Sequence, residues 1–220
     1  MLLSDMENAR FNMIEQQIRP CEIIDQRVLD TLKSVPRERF VSEAYQGLAF
    51  ADVHVPLDGG QVMMKPMQEG LMLQALDVRE GDRVLEVGTG SGFITACLLH
   101  LGGKVTSYEI DTQLSARAAK RLADLGMEGA ELVSGDIFAA DLPDASFDVI
   151  AVTGSLPLAP GGLERLLATG GRMFLIHGEK PVMRASLVTR SEHGELNIED
   201  LSETLLPPLQ NAPEPEHFIF

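Results

Sequence analysis

From residue 83 onward the sequence alternates between segments typical of buried strands and segments typical of helices. RVLEV (83–87) precedes the helical pattern SGFITACLLHL (91–101), and KVTSYEI (104–110) precedes TQLSARAAKRLADLG (112–126), before the strand and turn AELVSGD (130–136). Parallel strands need such a crossover, because the chain must return to the same end of the sheet. The alternation therefore predicts a mostly parallel sheet with helices on both faces.

The remaining sequence completes this pattern. FDVIAVTG (147–154) predicts a fourth strand, GGLERLLA (161–168) a short helix and GRMFLIHG (171–178) a fifth strand. The segments 182–191 and 195–206 predict two antiparallel strands that close one edge. The expected fold class is α/β, a doubly wound, Rossmann-like sheet of seven strands. The tail from residue 207 is broken by prolines but ends in Phe218, Ile219 and Phe220, so both docking on the body and fraying are open.

The first 79 residues have a different rhythm. Apolar residues recur at helical spacing in ARFNMIEQQI (9–18) and DQRVLDTLKSV (25–35), and Pro36 ends the second helix. Residues 40–65 are predicted to be loop with short extended pieces, and PMQEGLMLQAL (66–76) is a helix with Pro66 in its first turn. We expect residues 1–79 to form a helical and acceptor-loop region packed on a ligand-binding domain of residues 80–220.

Composition limits the partners. The formal net charge is −15 and the cations are scattered along the chain, so we expect no nucleic-acid partner. Charged residues interrupt the apolar N-terminus, unlike a secretory signal, and no later stretch approaches a membrane-spanning length. We therefore expect a cytoplasmic protein without a membrane partner. The five histidines and two cysteines lack the spacing of zinc ligands, so no metal site is predicted.

The segment VLEVGTGSGF (84–93) is the most informative motif. In an open parallel sheet the first strand-to-helix turn faces the ligand crevice, and glycines there let the backbone approach a nucleotide closely. Gly88, Gly90 and Gly92 give G-x-G-x-G, whereas the dinucleotide fingerprint G-x-G-x-x-G requires glycine where Phe93 stands. This difference favours an adenosyl ligand without a pyrophosphate, although a glycine triplet alone also occurs in ordinary tight turns.

Three acids extend this motif. Glu109 ends the next strand about 20 residues after the first glycine, where a carboxylate can accept hydrogen bonds from both ribose hydroxyls. Asp136 follows the third strand and can accept a hydrogen bond from the exocyclic amine of an adenine. Glu86 would face the cationic end of the ligand. The predicted ligand-binding set is Glu86, Gly88, Thr89, Gly90, Ser91, Gly92, Glu109, Ile110, Asp136 and Ile137.

The combination resembles the class I S-adenosylmethionine-dependent methyltransferases. Within that class, residues 13–41 (MIEQQIRPCEIIDQRVLDTLKSVPRERFV), a Gly-Gln loop, VLEVGTGSGF, FDVIAVTG and GGRMFLIHG are similar, in this order, to protein-L-isoaspartate O-methyltransferases. The resemblance covers about residues 10 to 190. It implies S-adenosyl-L-methionine as donor, S-adenosyl-L-homocysteine as product and the carboxylate of an isoaspartyl protein or peptide as acceptor, in protein repair.

The acceptor loop departs from that family. The resembled sequences have Thr-Ile-Ser-Gln-Pro after Gly-Gln, whereas residues 62–66 here read VMMKP, so Met64 stands where a serine hydroxyl would lie beside the acceptor. The resemblance implies that this loop faces the methyl acceptor, with methionines lining an adaptable apolar pocket. The alternative is that Met63 and Met64 only fill a gap beneath the loop. Asp52 matches an acidic position of the family and Thr153 a threonine after its fourth strand, and with Met64 they are the candidate catalytic residues.

Three functional hypotheses remain at this point. The first is carboxyl methylation of isoaspartyl residues. The second is methylation of a different, possibly small-molecule, acceptor on the same scaffold; the segment TGSLPL (153–158) lacks the Asn/Asp-Pro-Pro-Tyr pattern of amine methylation, which favours an oxygen acceptor. The third is a protein that binds the nucleotide without turnover, or an NAD-dependent oxidoreductase with a similar crevice. The sequence does not set the oligomeric state.

Overall fold

The computed structural model describes residues 3–214. The predicted alternatives for the apolar terminus, Phe218 to Phe220, fall outside the described residues. The α-helices of the described chain are α1 (Leu3–Met13), α2 (Gln26–Ser34), α3 (Pro66–Leu76), α4 (Phe93–His100) and α5 (Thr112–Asp124).

The helix ends follow local chemistry. The side chain of Asp25 accepts a hydrogen bond from the N–H of Arg27 and starts α2, and Asp111 caps α5 in the same way through Gln113 and Leu114. The helix predicted over residues 9–18 begins earlier, as α1, and continues through a π-helical turn at Ile14–Ile18 and a 3₁₀ turn at Arg19–Cys21.

Seven strands form the main sheet of the described chain. A small two-stranded hairpin of β1 (Val55–Pro56) and β2 (Val62–Met63) precedes them. The seven are β3 (Arg83–Val87), β4 (Lys104–Glu109), β5 (Glu131–Ser134), β6 (Phe147–Leu156), β7 (Leu167–Glu179), β8 (Val182–Arg190) and β9 (Leu196–Thr204). Their spatial order is β5-β4-β3-β6-β7-β8-β9; the first five are parallel, and β8 and β9 are antiparallel additions. The predicted seven-stranded, mostly parallel α/β fold is confirmed.

The two faces of this sheet carry separate apolar clusters. The first cluster contains residues of every α-helix from α1 to α5, for example Met13, Leu73 and Leu122, together with Val149 and Phe174 of the sheet. Because side chains alternate along a strand, their neighbours Ile150 and Met173 belong to the second cluster. Residues from both sides of position 79 thus share one core, while the division into two domains there remains a prediction.

The prediction of helices on both faces is wrong for the second face, which short turns cover in the described chain. In the described chain the second cluster is completed by the 3₁₀ turns Ile137–Ala139 and Leu163–Leu166 and by Leu209 and Ala212 of the C-terminal segment. The short helix predicted over residues 161–168 is therefore a single 3₁₀ turn, and β7 already begins at Leu167. Gly161 and Gly162 precede this turn and have backbone angles in the left-handed region. Such angles limit the length of any helix there.

Candidate functional site

An open cavity, with about 640 Å³ of empty space including its solvent-filled mouth, lies at the carboxyl ends of β3, β4, β5 and β6, where ligands of open parallel sheets bind. Seven of the residues predicted from the sequence line it: Gly88, Gly90, Glu109, Ile110, Asp136, Ile137 and Thr153. Leu57, Gln61 and Val62 from the acceptor loop close one side, and Leu209 and Gln210 from the C-terminal segment close another. The cavity is therefore built by three separate parts of the chain.

The glycine loop allows a close backbone approach. Gly88 has a φ of +96°, and a Cβ atom there would lie 2.5 Å from Oγ1 of Thr153. Gly92 has a φ of +88° and starts α4, where a Cβ atom would lie 3.2 Å from Cβ of Ala118 on α5. Side chains at these positions would strain the backbone and push β6 or α5 away. Gly92 thus serves helix packing, and it lines neither this cavity nor the neighbouring one described below.

Glu109 lies at the end of β4 and is almost fully buried, with 7% exposure. Its Oε2 atom accepts a hydrogen bond of 2.8 Å from the N–H of Gly90, and its Oε1 atom accepts one of 3.0 Å from the N–H of Asp111. A carboxylate has about four acceptor positions, so both oxygens retain capacity for hydroxyl groups in the cavity. The position fits the predicted binding of two ribose hydroxyls.

Asp136 follows β5 and starts the 3₁₀ turn Ile137–Ala139. Its Oδ1 atom accepts a hydrogen bond of 2.9 Å from the N–H of Phe138, and its Oδ2 atom accepts one of 2.8 Å from the side-chain amide of Asn211. Both bonds fix the carboxylate at the cavity wall. Asn211 could not be predicted as a site residue, because it lies 75 positions away in the sequence.

Glu86 is fully buried in the middle of β3. Its Oε2 atom accepts hydrogen bonds from Thr95 (2.5 Å) and Ser107 (2.6 Å), and its Oε1 atom has no partner. Thr89 extends this network, since its hydroxyl lies 2.6 Å from that of Ser107. Burial raises the pKa of the Glu86 carboxyl to about 7, although the hydrogen bonds from Ser107 and Thr95 oppose the shift.

A second cavity of about 300 Å³ adjoins the first, and Glu86, Thr89 and Ser91 line it. Both cavities share Leu57, Val62, Gly88, Gly90 and Thr153. Met63 and Met64, each 4% exposed, and Phe93 supply most of the remaining apolar lining, together with the acid Glu69. The acceptor loop predicted from the sequence therefore lies directly beside the glycine loop.

Two candidate catalytic residues make other contacts. The carboxylate of Asp52 accepts a hydrogen bond of 3.1 Å from the N–H of Met67 in the first turn of α3, and Asp52 does not line either cavity. The hydroxyl of Thr153 donates to the backbone carbonyls of Val87 and Gly88. We therefore expect Asp52 to fix the start of α3 and Thr153 to fix the glycine loop. Of the three candidates, Met64 lines the second cavity and Thr153 lines both cavities.

Sequence reasoning missed a buried ion pair beneath the loop. The guanidinium of Arg37 bonds to both carboxylate oxygens of Glu69 on α3, at 2.8 and 3.0 Å. One signal was present, since Glu69 shares its helix face with Leu73 and Leu76, the i+4 and i+7 positions. An acid on an apolar face indicates a buried partner, but the sequence does not say which one.

Neither a membrane span nor a metal cluster is found over residues 3–214. No helix there is long and apolar enough to cross a bilayer, and no group of three or more His, Cys, Asp or Glu side chains is arranged to hold a metal ion.

Comparison with known proteins identifies the family. The sequence model described as protein-L-isoaspartate(D-aspartate) O-methyltransferase matches residues 8–213. A protein-L-isoaspartate O-methyltransferase of Anaeromyxobacter dehalogenans (strain 2CP-C) is 42% identical over 196 residues, which is 87% of this chain and 92% of the relative. A protein-L-isoaspartate O-methyltransferase 2 of Anaeromyxobacter sp. (strain Fw109-5) is 39% identical over 87% of this chain and 79% of the relative.

A solved structure supports the fold. The crystal structure of a protein from Plasmodium falciparum, described as a protein-L-isoaspartate O-methyltransferase in complex with S-adenosyl-L-homocysteine, superposes with a TM-score of 0.79 at 20% identity. The match covers 93% of this chain and 98% of the other. The resemblance drawn from the sequence motifs is confirmed: this chain belongs to the protein-L-isoaspartate(D-aspartate) O-methyltransferase family.

Proposed function

We propose that this chain methylates the free carboxylate of isoaspartyl residues in proteins or peptides, with S-adenosyl-L-methionine as donor and S-adenosyl-L-homocysteine as product. The proposal rests on one observation: two cavities adjoin each other at the glycine loop. One cavity is lined by Glu109 and Asp136, which suit a nucleoside, and the other by Met63 and Met64. Family membership supplies the acceptor class.

The residues of the first cavity fit the proposed donor. Glu109 retains acceptor positions for ribose hydroxyls, and the fixed carboxylate of Asp136 suits an adenine amine. The buried Oε1 atom of Glu86 has no hydrogen-bond partner, and a cationic group in the second cavity would give it one. When bound, S-adenosyl-L-methionine would supply a methyl group on a positively charged sulfur, which departs as a neutral thioether.

The chain's own contribution is alignment and exclusion of water. A carboxylate acceptor has a reference pKa of about 4 and is ionised at neutral pH, so no general base is needed. Val62, Met64 and Phe93 enclose the second cavity with apolar surface, which keeps water from the acceptor. The glycine loop and the acceptor loop hold the two reactants side by side, and such alignment is the main source of catalysis in a transfer of this kind.

A different acceptor is the second candidate, and the buried side chain of Met64 favours it. Met64 offers no hydroxyl to a carboxylate, and the acids Glu69 and Glu86 in the same lining would repel one. The other polar side chains of the lining are the hydroxyls of Thr89, Ser91 and Thr153. A small, weakly polar oxygen acceptor would suit such a lining. Binding of the nucleotide without turnover is the remaining alternative.

We also infer a cytoplasmic location, from the same sequence features that predicted it.

The test is transfer of a labelled methyl group to two peptides that differ only in one linkage, isoaspartyl or ordinary aspartyl. We expect a base-labile methyl ester on the isoaspartyl peptide alone. Tight binding of S-adenosyl-L-homocysteine with no ester on either peptide would favour the second candidate or binding without turnover. Absence of both binding and transfer would reject a methyltransferase of either kind.

A further inference from the structure

The buried ion pair between Arg37 and Glu69 lies beside the second cavity, between the acceptor loop and the start of α4. Arg37 belongs to the 3₁₀ turn that follows α2, and Glu69 lies in the first turn of α3. Their side chains are 0% and 1% exposed. A guanidinium has five N–H groups. Four of those of Arg37 donate hydrogen bonds, and each has an identified acceptor.

Two of those N–H groups bind loop carbonyls. Nη2 donates to the carbonyl of Met64 at 2.7 Å, and Nη1 donates to the carbonyl of Ala49. The carbonyl of Met64 lies just beyond the two-residue strand β2, so Arg37 gives this acceptor-loop group a buried hydrogen-bond donor. The position of the Met64 backbone is thereby set by a side chain from another part of the chain.

Arg37 also contacts the start of α4. Its guanidinium lies over the ring of Phe93, with 5.5 Å between Cζ and the ring centroid. Phe93 is the first residue of α4 and directly follows the glycine loop. One side chain therefore contacts the acceptor loop through Met64 and, through Phe93, the residue that follows the glycine loop; both Met64 and Phe93 line the second cavity.

Stability alone does not account for this arrangement. Replacement of a buried ion pair by apolar residues of similar volume is often neutral or stabilising, because desolvation offsets the attraction between the charges. An apolar pair would, however, leave the carbonyl of Met64 without its donor. A planar guanidinium is suited to hold a carboxylate and a carbonyl at the same time, which a lysine ammonium does less precisely.

We propose that Arg37, with Glu69 as its counter-ion, is the positioning residue of the acceptor loop and sets the Met64 backbone relative to the glycine loop. This inference rests on the proposed function for its kinetic part only. Removal of the pair should impair the use of the acceptor and leave binding in the first cavity intact, because Arg37 does not line that cavity.

The experiment uses the double variant Arg37→Met/Glu69→Leu, which avoids an unpaired buried charge. Arg37→Lys keeps the positive charge but not the planar fork, and Arg39→Met, at an exposed position of the same turn, is the matched control. Three quantities are measured: affinity for S-adenosyl-L-homocysteine, kcat and KM with the isoaspartyl peptide, and hydrogen exchange of residues 57–65.

We expect the double variant to fold but to unfold at a lower denaturant midpoint, because the carbonyls of Met64 and Ala49 lose their donor. It should bind S-adenosyl-L-homocysteine with unchanged affinity. Its kcat/KM for the peptide should fall about a hundredfold, as a misplaced reactant would produce, and residues 57–65 should exchange faster. Arg37→Lys should show the same defect in weaker form, and Arg39→Met none.

Unchanged exchange of residues 57–65 in a folded double variant would overturn the proposal, as would a parallel loss of nucleotide affinity. These readouts also separate the two claims. If the wild type methylates no isoaspartyl peptide, the proposed acceptor is wrong, while hydrogen exchange still decides the role of Arg37.

Discussion

The Oε2 atom of Glu109 accepts a hydrogen bond of 2.8 Å from the backbone N–H of Gly90. This bond fastens the glycine loop after β3 to the end of the neighbouring strand β4. The same carboxylate lines the first cavity, so the group that shapes the loop is also the group proposed to bind the ribose. One side chain therefore holds the loop in place and, in the proposed function, also binds the ligand.

Glu86 should make the free energy of unfolding fall as the pH rises. Its pKa is about 7 in the folded protein against 4.5 for the unfolded reference, so the native state holds the proton more tightly. The resulting stabilisation, about 3 kcal/mol, is complete below about pH 4.5 and is lost as the pH rises through about 7. Urea unfolding at about pH 5 and about pH 8 should show this loss in the wild type and a smaller one in Glu86→Gln. The exposed control Glu128→Gln should behave as wild type; equal pH slopes in all three proteins would remove the assignment.

Met64→Ser should improve the use of an isoaspartyl acceptor. A hydroxyl at this position can donate to the acceptor carboxylate, and a hydrogen bond to a charged group contributes about 1.5–3 kcal/mol, or about ten- to a hundredfold in kcat/KM. The variant should lose about 2–5 kcal/mol of unfolding free energy, because Met64 is buried. Met63→Ser is the control, since Met63 has the same 4% exposure. An equal gain in both variants, or none in Met64→Ser, would argue against a direct role for position 64.

Asn211→Asp should weaken binding of the nucleotide. The substitution replaces the amide that donates to Asp136 at 2.8 Å with a second carboxylate, and the two negative charges repel each other. We expect the affinity for S-adenosyl-L-homocysteine, measured by calorimetry, to fall about tenfold at low salt. Asn197→Asp makes the same chemical change at an exposed position of β9 and should have no effect. Equal affinities for the two variants would show that the C-terminal segment does not orient Asp136.

Much of the sheet is predictable because its information is local. The apolar runs of β3 and β6 and the alternating burial of β4 are recognisable within a few residues, and the helices between the strands show their own periodicity, as in residues 112–126. The information that leaves the two faces of the sheet unevenly covered is not local. The region of Leu163 has a helical pattern, but it lies between Gly162 and the start of β7, which leaves room for only one 3₁₀ turn.

The site divides in the same way. Glu109 and Asp136 are predictable because parallel strand ends meet at one edge of the sheet. The pairing of Arg37 with Glu69 spans 32 positions, and the bond from Asn211 to Asp136 spans 75, so neither leaves a local pattern. The orientation of Glu86 toward Thr95 and Ser107 likewise depends on tertiary packing.

Calorimetric titration with S-adenosyl-L-homocysteine and, in parallel, NAD tests the central claim most directly. We predict saturable binding of S-adenosyl-L-homocysteine, no binding of NAD, and a loss of about 2 kcal/mol, roughly thirtyfold in affinity, in Glu109→Ala but not in the exposed control Glu131→Ala. Binding of NAD in preference, or equal S-adenosyl-L-homocysteine affinity in Glu109→Ala and wild type, would contradict an adenosyl-binding crevice built on Glu109.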